Sequence, residues 1–261
     1  MCAGAAACTS RDRPLRVGTT HTVEQSGALA LVDSLWHGTR LAVVVAPSGQ
    51  ILRAAAAGDL DVAITHAPTL EARMLVEPGR AALVCPLVES RFALVGPAAD
   101  HARVRGAASA AEAFRRIARS GATFVSRGDS SGTHIKETGI WRVASIEPRD
   151  SGWYLESGAD QATTLRIAVE RRAYALADLP TLAHERGLDL TVLHAADTLL
   201  RNPYTLYVVR SAEPRDGAGQ FAAWAVDVWR PRLASLRLPD GTRSFTAAAG
   251  GCETPGARVS P

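Results

Sequence analysis

The sequence has few of the features that mark several common protein classes. Lys136 is the only lysine, so 28 of the 29 basic residues are arginine. Aromatic residues make up 5% of the 261 residues, which argues against a stacking platform for single-stranded nucleic acid. No apolar run reaches the roughly 20 residues that a membrane-spanning helix needs. The sequence therefore predicts neither a nucleic-acid partner nor a helix that crosses a membrane.

The arginine excess by itself says little about function. The formal net charge is only +3, and the abundance of alanine points to a GC-rich genome as the cause of the excess. With 47% apolar and 21% charged residues, the composition is that of an ordinary globular protein. Because guanidinium groups bind oxyanions through a rigid fork of donors, one arginine in a suitable turn could still carry a function.

The first thirteen residues are small, neutral and without periodicity. Ala5-Ala6-Ala7-Cys8 resembles the cleavage box of bacterial lipoproteins, where the cysteine becomes lipidated. We interpret residues 1–13 as a disordered stub and a possible remnant of such a signal. A disordered cytoplasmic tail is the alternative.

The four cysteines do not form a metal site by their spacing. Cys85 lies in a strand-like run and is expected to be a small buried residue. A disulfide between Cys85 and Cys252 is an alternative in an oxidising compartment. No metal or cofactor is expected.

Short apolar runs alternate with helical patterns along most of the chain, which predicts an α/β fold with mainly parallel sheets flanked by helices. The runs form two groups with a returning strand, so two lobes joined by two hinge crossings are expected. The predicted limits are 14–95 and 204–238 for lobe 1, 96–203 for lobe 2 and 239–261 for a flexible tail.

Three strand-to-helix turns are the candidate binding elements, because ligands of such sheets bind at the carboxyl ends of strands beside helix N-termini. The turn over 18–27 is rich in hydroxyls, and the turn over 47–50 combines a serine with a glycine. The turn over 126–134 is the most specific. It places Arg127 before glycines, hydroxyls and a helix start, which together make a cradle for an anion.

Two other interpretations of these turns are weaker. Gly128–Gly132 reads GDSSG, as in the nucleophile loop of trypsin-like peptidases, but the alternating α/β pattern contradicts two β-barrels. His21, His66 and His134 lie near the turns, yet no i, i+4 pair or carboxylate cluster supports a metal site. As an alternative to metal ligands, His66 and His134 are expected at the surface or behind the binding residues, whereas His21 stays a candidate because it lies within the first turn.

The motifs resemble those of the tungstate-binding proteins of bacterial ABC importers, a branch of the type II periplasmic binding proteins. Phe124–Glu137 reads FVSRGDSSGTHIKE, and Gly58–Pro68 reads GDLDVAITHAP. Trp153–Asp178 reads WYLESGADQATTLRIAVERRAYALAD, and Asn202-Pro203-Tyr204 also matches. The resemblance covers about residues 15–235 and implies a two-lobed fold with a tetrahedral dianion between the lobes.

The resemblance implies that Arg127 is the charged contact and that Thr133 donates from the same cradle. The full set of expected ligand-binding residues is Thr20, His21, Thr22, Ser48, Gly49, Arg127, Ser131 and Thr133. His21 and the Pro47-Ser48 pair depart from the family pattern, and Asp160 replaces a residue of a glycine-rich segment. These departures leave the choice among tungstate, molybdate and other oxyanions open.

The resemblance thus implies a monomeric, extracytoplasmic binding protein, periplasmic or anchored to the membrane, which delivers its oxyanion to a membrane permease. It would not be an enzyme. The alternatives are an oxyanion-sensing or drifted domain without transport, and an enzyme on the same fold that uses Asp129 or His134 as acid or base.

Overall fold

The structure, a computed structural model, describes residues 13–211, 216–238 and 241–256. The strands are β1 (Leu15–Thr19), β2 (Leu41–Val45), β3 (Val62–Thr65), β4 (Ala81–Gly96), β5 (Phe124–Ser126), β6 (Tyr154–Glu156), β7 (Ala175–Asp178), β8 (Thr191–His194), β9 (Arg201–Val209) and β10 (Thr246–Ala247). The α-helices are α1 (His21–Gln25), α2 (Ala28–Leu35), α3 (Ser48–Ala57), α4 (Pro68–Glu71), α5 (Ala110–Ser120), α6 (Gly132–Val143), α7 (Gln161–Glu170), α8 (Leu179–His184), α9 (Asp216–Trp224) and α10 (Arg230–Ser235). Short 3-10 turns lie at Val104–Gly106 and Thr198–Leu200, and π-helical turns at Ala72–Val76 and Ala225–Trp229.

The long strand β4 connects the two halves of the molecule. Its first part, up to Arg91, pairs antiparallel with β9, and its last part, from Phe92, pairs antiparallel with β7 and β8. The change of partner falls between Arg91 and Phe92.

The first half is built on strands β1, β2 and β3, which run parallel, with β9 antiparallel beside β3. Its apolar residues form a core on each face of the sheet. One core includes Leu206, Phe221 and Trp229, and the other includes Ile51 and Leu75. The second half has parallel strands β5 and β6, with further cores around Phe114 and Leu165. The predicted two-lobe α/β fold is therefore confirmed. The large sheet is mixed, however, and not mainly parallel as expected, because β4 pairs antiparallel with β7, β8, β9 and β10.

Side-chain caps fix where the helices of the second half begin. Ser109 caps α5, Ser131 caps α6, and Asp160 caps α7, each by accepting a hydrogen bond from a backbone N–H in the first turn. Such caps satisfy amides that have no partner within the helix. They place the start of α6 directly after the turn that follows β5.

The C-terminal segment packs onto the sheet. Residues 241–256, where the sequence led us to expect part of a flexible tail, contribute β10 to the edge of β4 and bury Phe245. Cys85 and Cys252 form a disulfide, so Cys85 is a bonded cysteine and not the free buried residue that was the first expectation.

The lipoprotein-like box and Cys8 fall outside the described residues. In the part of the chain that the structure describes, no helix combines the length and the apolar character that a bilayer crossing demands.

Candidate functional site

Helices α3 and α6 begin close to each other, one in each lobe. The backbone N–H of Gly49, in the first turn of α3, donates to the carbonyl oxygen of Ser130 at 3.1 Å. Ser130 directly precedes Ser131, which caps α6. A strand-to-helix turn of the first lobe therefore touches a strand-to-helix turn of the second, which brings Ser48 near the loop that holds Arg127.

The loop between β5 and α6 has an unusual backbone. Ser130 adopts a φ of 60°, in the left-handed region that residues other than glycine rarely occupy. This conformation accompanies the contact of its carbonyl with Gly49. Backbone strain of this kind is concentrated at binding sites, where surrounding contacts hold it in place.

The same loop orients Arg127. One guanidinium nitrogen, Nη2, donates to the Oδ2 atom of Asp129 at 2.5 Å, while Oδ1 of Asp129 accepts the backbone N–H of Ser131 at 3.0 Å. The Arg127 side chain is only 2% exposed. Asp129 thus fixes the orientation of the Arg127 guanidinium group and offsets much of its charge. Binding of an anion then depends on where the guanidinium N–H groups that Asp129 does not use, such as Nε, point.

Three of the expected binding residues keep a buried polar atom without a partner. Among the described residues, nothing forms a hydrogen bond with Oγ of Ser48, Nε of Arg127 or Oγ1 of Thr133. All three side chains are almost fully buried. Because an unpaired buried donor costs about 1–3 kcal/mol, a concentration of such atoms at facing helix starts indicates a site for a ligand with acceptor oxygens.

Thr20 and Thr22 are linked differently, in a chain of hydrogen bonds that runs through His66 to Asn202. The hydroxyl oxygens of the two threonines are 2.9 Å apart, and Oγ1 of Thr22 is 2.9 Å from Nε2 of His66. Nδ1 of His66 is 2.9 Å from Oδ1 of Asn202. All of these residues are buried.

The polarity of this chain follows from its Asn202 end. Nδ2 of Asn202 donates to Oγ of Ser90 and Oδ1 of Asp178, so its Oδ1 must accept. Nδ1 of His66 therefore carries the proton and Nε2 accepts from Thr22. The hydrogen bond to His66 uses the single hydroxyl proton of Thr22. Oγ1 of Thr22 can therefore only accept from Thr20, and Thr20 is the donor. Both threonine protons are committed to this chain.

Burial keeps His66 neutral. Removal of the imidazole from water lowers its pKa to about 4, and the nearby charge of Arg127 acts in the same direction. The ring stacks on Tyr204 with 4.7 Å between centroids. It also packs against α6, since a Cβ added to Gly132 would lie 2.5 Å from Cε1 of His66.

A buried carboxylate supports the Arg127 loop from behind. Glu137 accepts hydrogen bonds from Oγ of Ser126, Nε1 of Trp141 and the hydroxyl of Tyr154. Ser126 Oγ in turn accepts the backbone N–H of Gly128 at 3.2 Å. Burial raises the pKa of Glu137 to about 7 in spite of these donors. The network fixes the end of β5, from which Arg127 projects.

The structure separates the eight expected binding residues into groups. Ser48, Arg127 and Thr133 keep unpartnered polar atoms, whereas the Thr20 and Thr22 protons and the Gly49 amide are used within the protein. Ser131 accepts the N–H of His134, which leaves its hydroxyl proton for an acceptor.

His21 is more exposed than the neighbouring hydroxyls of Thr20 and Thr22. It is 29% exposed, and its Nδ1 is 3.8 Å from Oε2 of Glu24. Asp160, the other departure from the family pattern, caps α7 by accepting the N–H of Thr163 at 2.8 Å. Its carboxylate is therefore engaged with a helix start.

Sequence reasoning did not assign the roles of His66 and Asn202. His66 was expected at the surface or behind the site, and it lies fully behind it. Asn202 was noted only as part of a crossing. The two residues are 136 positions apart, so no local pattern relates them; the motifs that contain them were the sole signal.

The comparisons agree with this architecture. Residues 6–228 match the family described as PBP superfamily domain. The match covers most of the chain, so the protein belongs to this superfamily, and the resemblance found in the sequence is confirmed.

Individual relatives are named for anions and for tungstate. A Haloferax volcanii protein provisionally named an ABC transporter anion-binding protein is 36% identical over 77% of this chain, which spans only 61% of that relative. The tungstate-binding protein TupA of Peptoclostridium acidaminophilum is 30% identical over 72% of this chain and 67% of its own length. The crystal structure of the tungstate ABC transporter from Geobacter sulfurreducens superposes with a TM-score of 0.70 at 32% identity, over 82% of this chain and 94% of that one. None of the three is named as an enzyme.

Proposed function

We propose that this protein is the extracytoplasmic substrate-binding component of an ABC importer and that it captures tungstate, or a similar tetrahedral oxyanion, between its lobes. The observation that carries the proposal is the set of buried, unpartnered atoms on Ser48, Arg127 and Thr133. An oxyanion offers acceptors in several directions and no donors, so it fits a site whose free groups are donors. The relatives named for tungstate support the choice of ion.

Binding would require no covalent chemistry. The lobes would close about the two crossings, where β4 changes partner after Arg91 and where β9 begins at Arg201. Closure would remove water from the ion and strengthen each hydrogen bond to it. The Gly49–Ser130 contact and the packing of His66 on Gly132 are two of the interlobe contacts that closure would make. A membrane permease would then accept the ion from what we expect to be a monomer.

Isothermal titration with tungstate tests the assignment. Charge-assisted hydrogen bonds contribute about 1.5–3 kcal/mol each, so Arg127→Ala should weaken binding about tenfold or more. The exposed Arg171, at the C-terminal end of α7 and outside the three candidate turns, offers a matched control, since Arg171→Ala removes the same group. Unchanged affinity in Arg127→Ala, in a protein that still binds tungstate, would refute the assigned site.

Competition titration with molybdate, sulfate and phosphate identifies the ion. Tungstate and molybdate have nearly the same shape, whereas phosphate keeps a proton near neutral pH. Asp129, the carboxylate of the Arg127 loop, already accepts from Arg127 and Ser131, so it is not available to accept a proton from a bound ion. We therefore expect a fully ionised dianion to displace tungstate more effectively than phosphate.

A further inference from the structure

A large groove lies on the outer side of the contact between the two lobes. Its volume is about 800 Å³. One wall is formed by α3 and the π-helical turn at Ala72–Val76, and the other by α6 and the segment 145–149. Gly49 and Ser130 both line it, so its inner end reaches the point where the lobes meet.

The groove carries a strong positive charge. Four arginines line it, two from each lobe: Arg53, Arg73, Arg142 and Arg149. Among the described residues that line the groove, Glu147 is the one carboxylate. Within residues 13–211, 216–238 and 241–256, no carboxylate forms an ion pair with any of the four guanidinium groups. Arg127 differs, because Asp129 holds it.

His134 stands at the inner end of the groove, next to Thr133. Its Nδ1 accepts the backbone N–H of Ser130 at 3.1 Å, so in the neutral ring the proton is on Nε2. That Nε2 atom is buried and has no hydrogen-bond partner among the described residues. Burial lowers the pKa of His134, which favours this neutral donor form.

We propose that the groove is a vestibule that gathers hydrated tetrahedral oxyanions and passes them to the Arg127 cradle. This inference rests on the proposed function, because it concerns the same ion. The groove is much larger than one such ion, and its four arginines are exposed. It therefore holds anions loosely near the cleft, while tight binding stays with the buried donors.

The physical basis is long-range attraction. A cleft lined by charge of one sign focuses the field and raises association rates by about 10–10³-fold. Salt suppresses this effect, since the screening length falls from about 30 Å at 0.01 M to about 3 Å at 1 M. The vestibule should thus affect how fast the ion arrives and leave its rate of departure unchanged.

Stopped-flow fluorescence of the tungstate complex measures both rates. The test variant combines Arg53→Gln, Arg73→Gln, Arg142→Gln and Arg149→Gln. The matched control combines Arg171→Gln, Arg186→Gln, Arg232→Gln and Arg243→Gln, which remove the same charge from exposed positions outside the groove.

At about 10 mM ionic strength the groove variant should associate about tenfold more slowly than wild type, with dissociation within about twofold, while the control stays near wild type. At about 1 M salt all three should converge. Unchanged association in the groove variant, or equal slowing in the control, would overturn the vestibule alone. Failure of the wild-type protein to bind tungstate would instead overturn the proposed function, and the vestibule with it.

Discussion

Nδ1 of His66 and Oδ1 of Asn202 are 2.9 Å apart, although the two residues are 136 positions apart in the chain. This hydrogen bond determines which nitrogen of the ring carries the proton. It therefore determines the direction of the hydrogen bonds through Thr22 to Thr20. Asn202 thus determines that the hydroxyl protons of Thr20 and Thr22 are used within the protein and are not available to a ligand.

The depressed pKa of His66 predicts a loss of stability in mild acid. Its pKa is about 4 in the folded protein, against about 6.5 in the unfolded chain, so the unfolded state binds more protons between these values. The stabilisation is complete above pH 6.5 and is lost as the pH falls towards 4. Over this window it amounts to about 3 kcal/mol.

His66→Phe isolates this contribution because it keeps a ring against Tyr204 but removes both nitrogens. We expect the difference in unfolding free energy between wild type and variant, measured with urea at a series of pH values, to shrink below pH 6.5. Glu137 has the opposite effect, since its raised pKa makes stability fall as pH rises from 4.5 to about 7, but it is present in both proteins. A difference that stays constant from pH 8 to pH 5 would contradict the assigned protonation.

Removal of single hydroxyl groups from α6 should show which of them bind the ion. Thr133→Val deletes the buried, unpartnered Oγ1 with little change in shape, and we expect tungstate affinity to fall about tenfold or more. Thr138→Val is the matched control, because its hydroxyl donates to the Ile135 carbonyl within the same helix. Isothermal titration should show the control within about twofold of wild type. Similar losses in both variants would indicate a general effect on the helix.

Gly132 tests whether close approach of the lobes is needed. An alanine Cβ there would lie 2.5 Å from the ring of His66, so Gly132→Ala should hold the lobes apart and weaken tungstate binding. Gly139→Ala changes the same helix where the added methyl meets nothing within 4 Å. This control should keep its affinity and gain up to about 1 kcal/mol of stability. Unchanged tungstate affinity in Gly132→Ala would contradict this prediction, because it would mean that the His66 ring moves aside and the lobes still close.

The disulfide should matter for stability and not for binding. Cys85 and Cys252 close a loop of 167 residues, and loss of such a link destabilises a domain by about 2–4 kcal/mol. The double variant Cys85→Ala/Cys252→Ala should therefore unfold at lower urea concentration while binding tungstate within about twofold of wild type. A reductant should destabilise wild type and leave the variant unchanged. An equal response of both proteins would mean that the link does not form.

The sequence by itself determined the fold class and predicted the turns that we propose as the binding site. Alternating apolar runs and helical patterns predict an α/β fold because burial of both faces of a parallel sheet requires them. The glycines and hydroxyls after Arg127 predict a helix start that suits an anion, since those residue types cap helices and allow close backbone approach. These features are local, so a linear pattern can show them.

Only the tertiary structure decided which groups remain available to a ligand. Gly49 and Thr22 were expected to bind the ion, but the Gly49 amide donates to Ser130 and the Thr22 hydroxyl donates to His66. Cys85 pairs with Cys252, and the segment around Phe245 packs onto the sheet. Each outcome depends on partners far away in the chain. A hydrogen bond forms only when donor and acceptor meet within about 3 Å, and spacing along a sequence does not specify that distance.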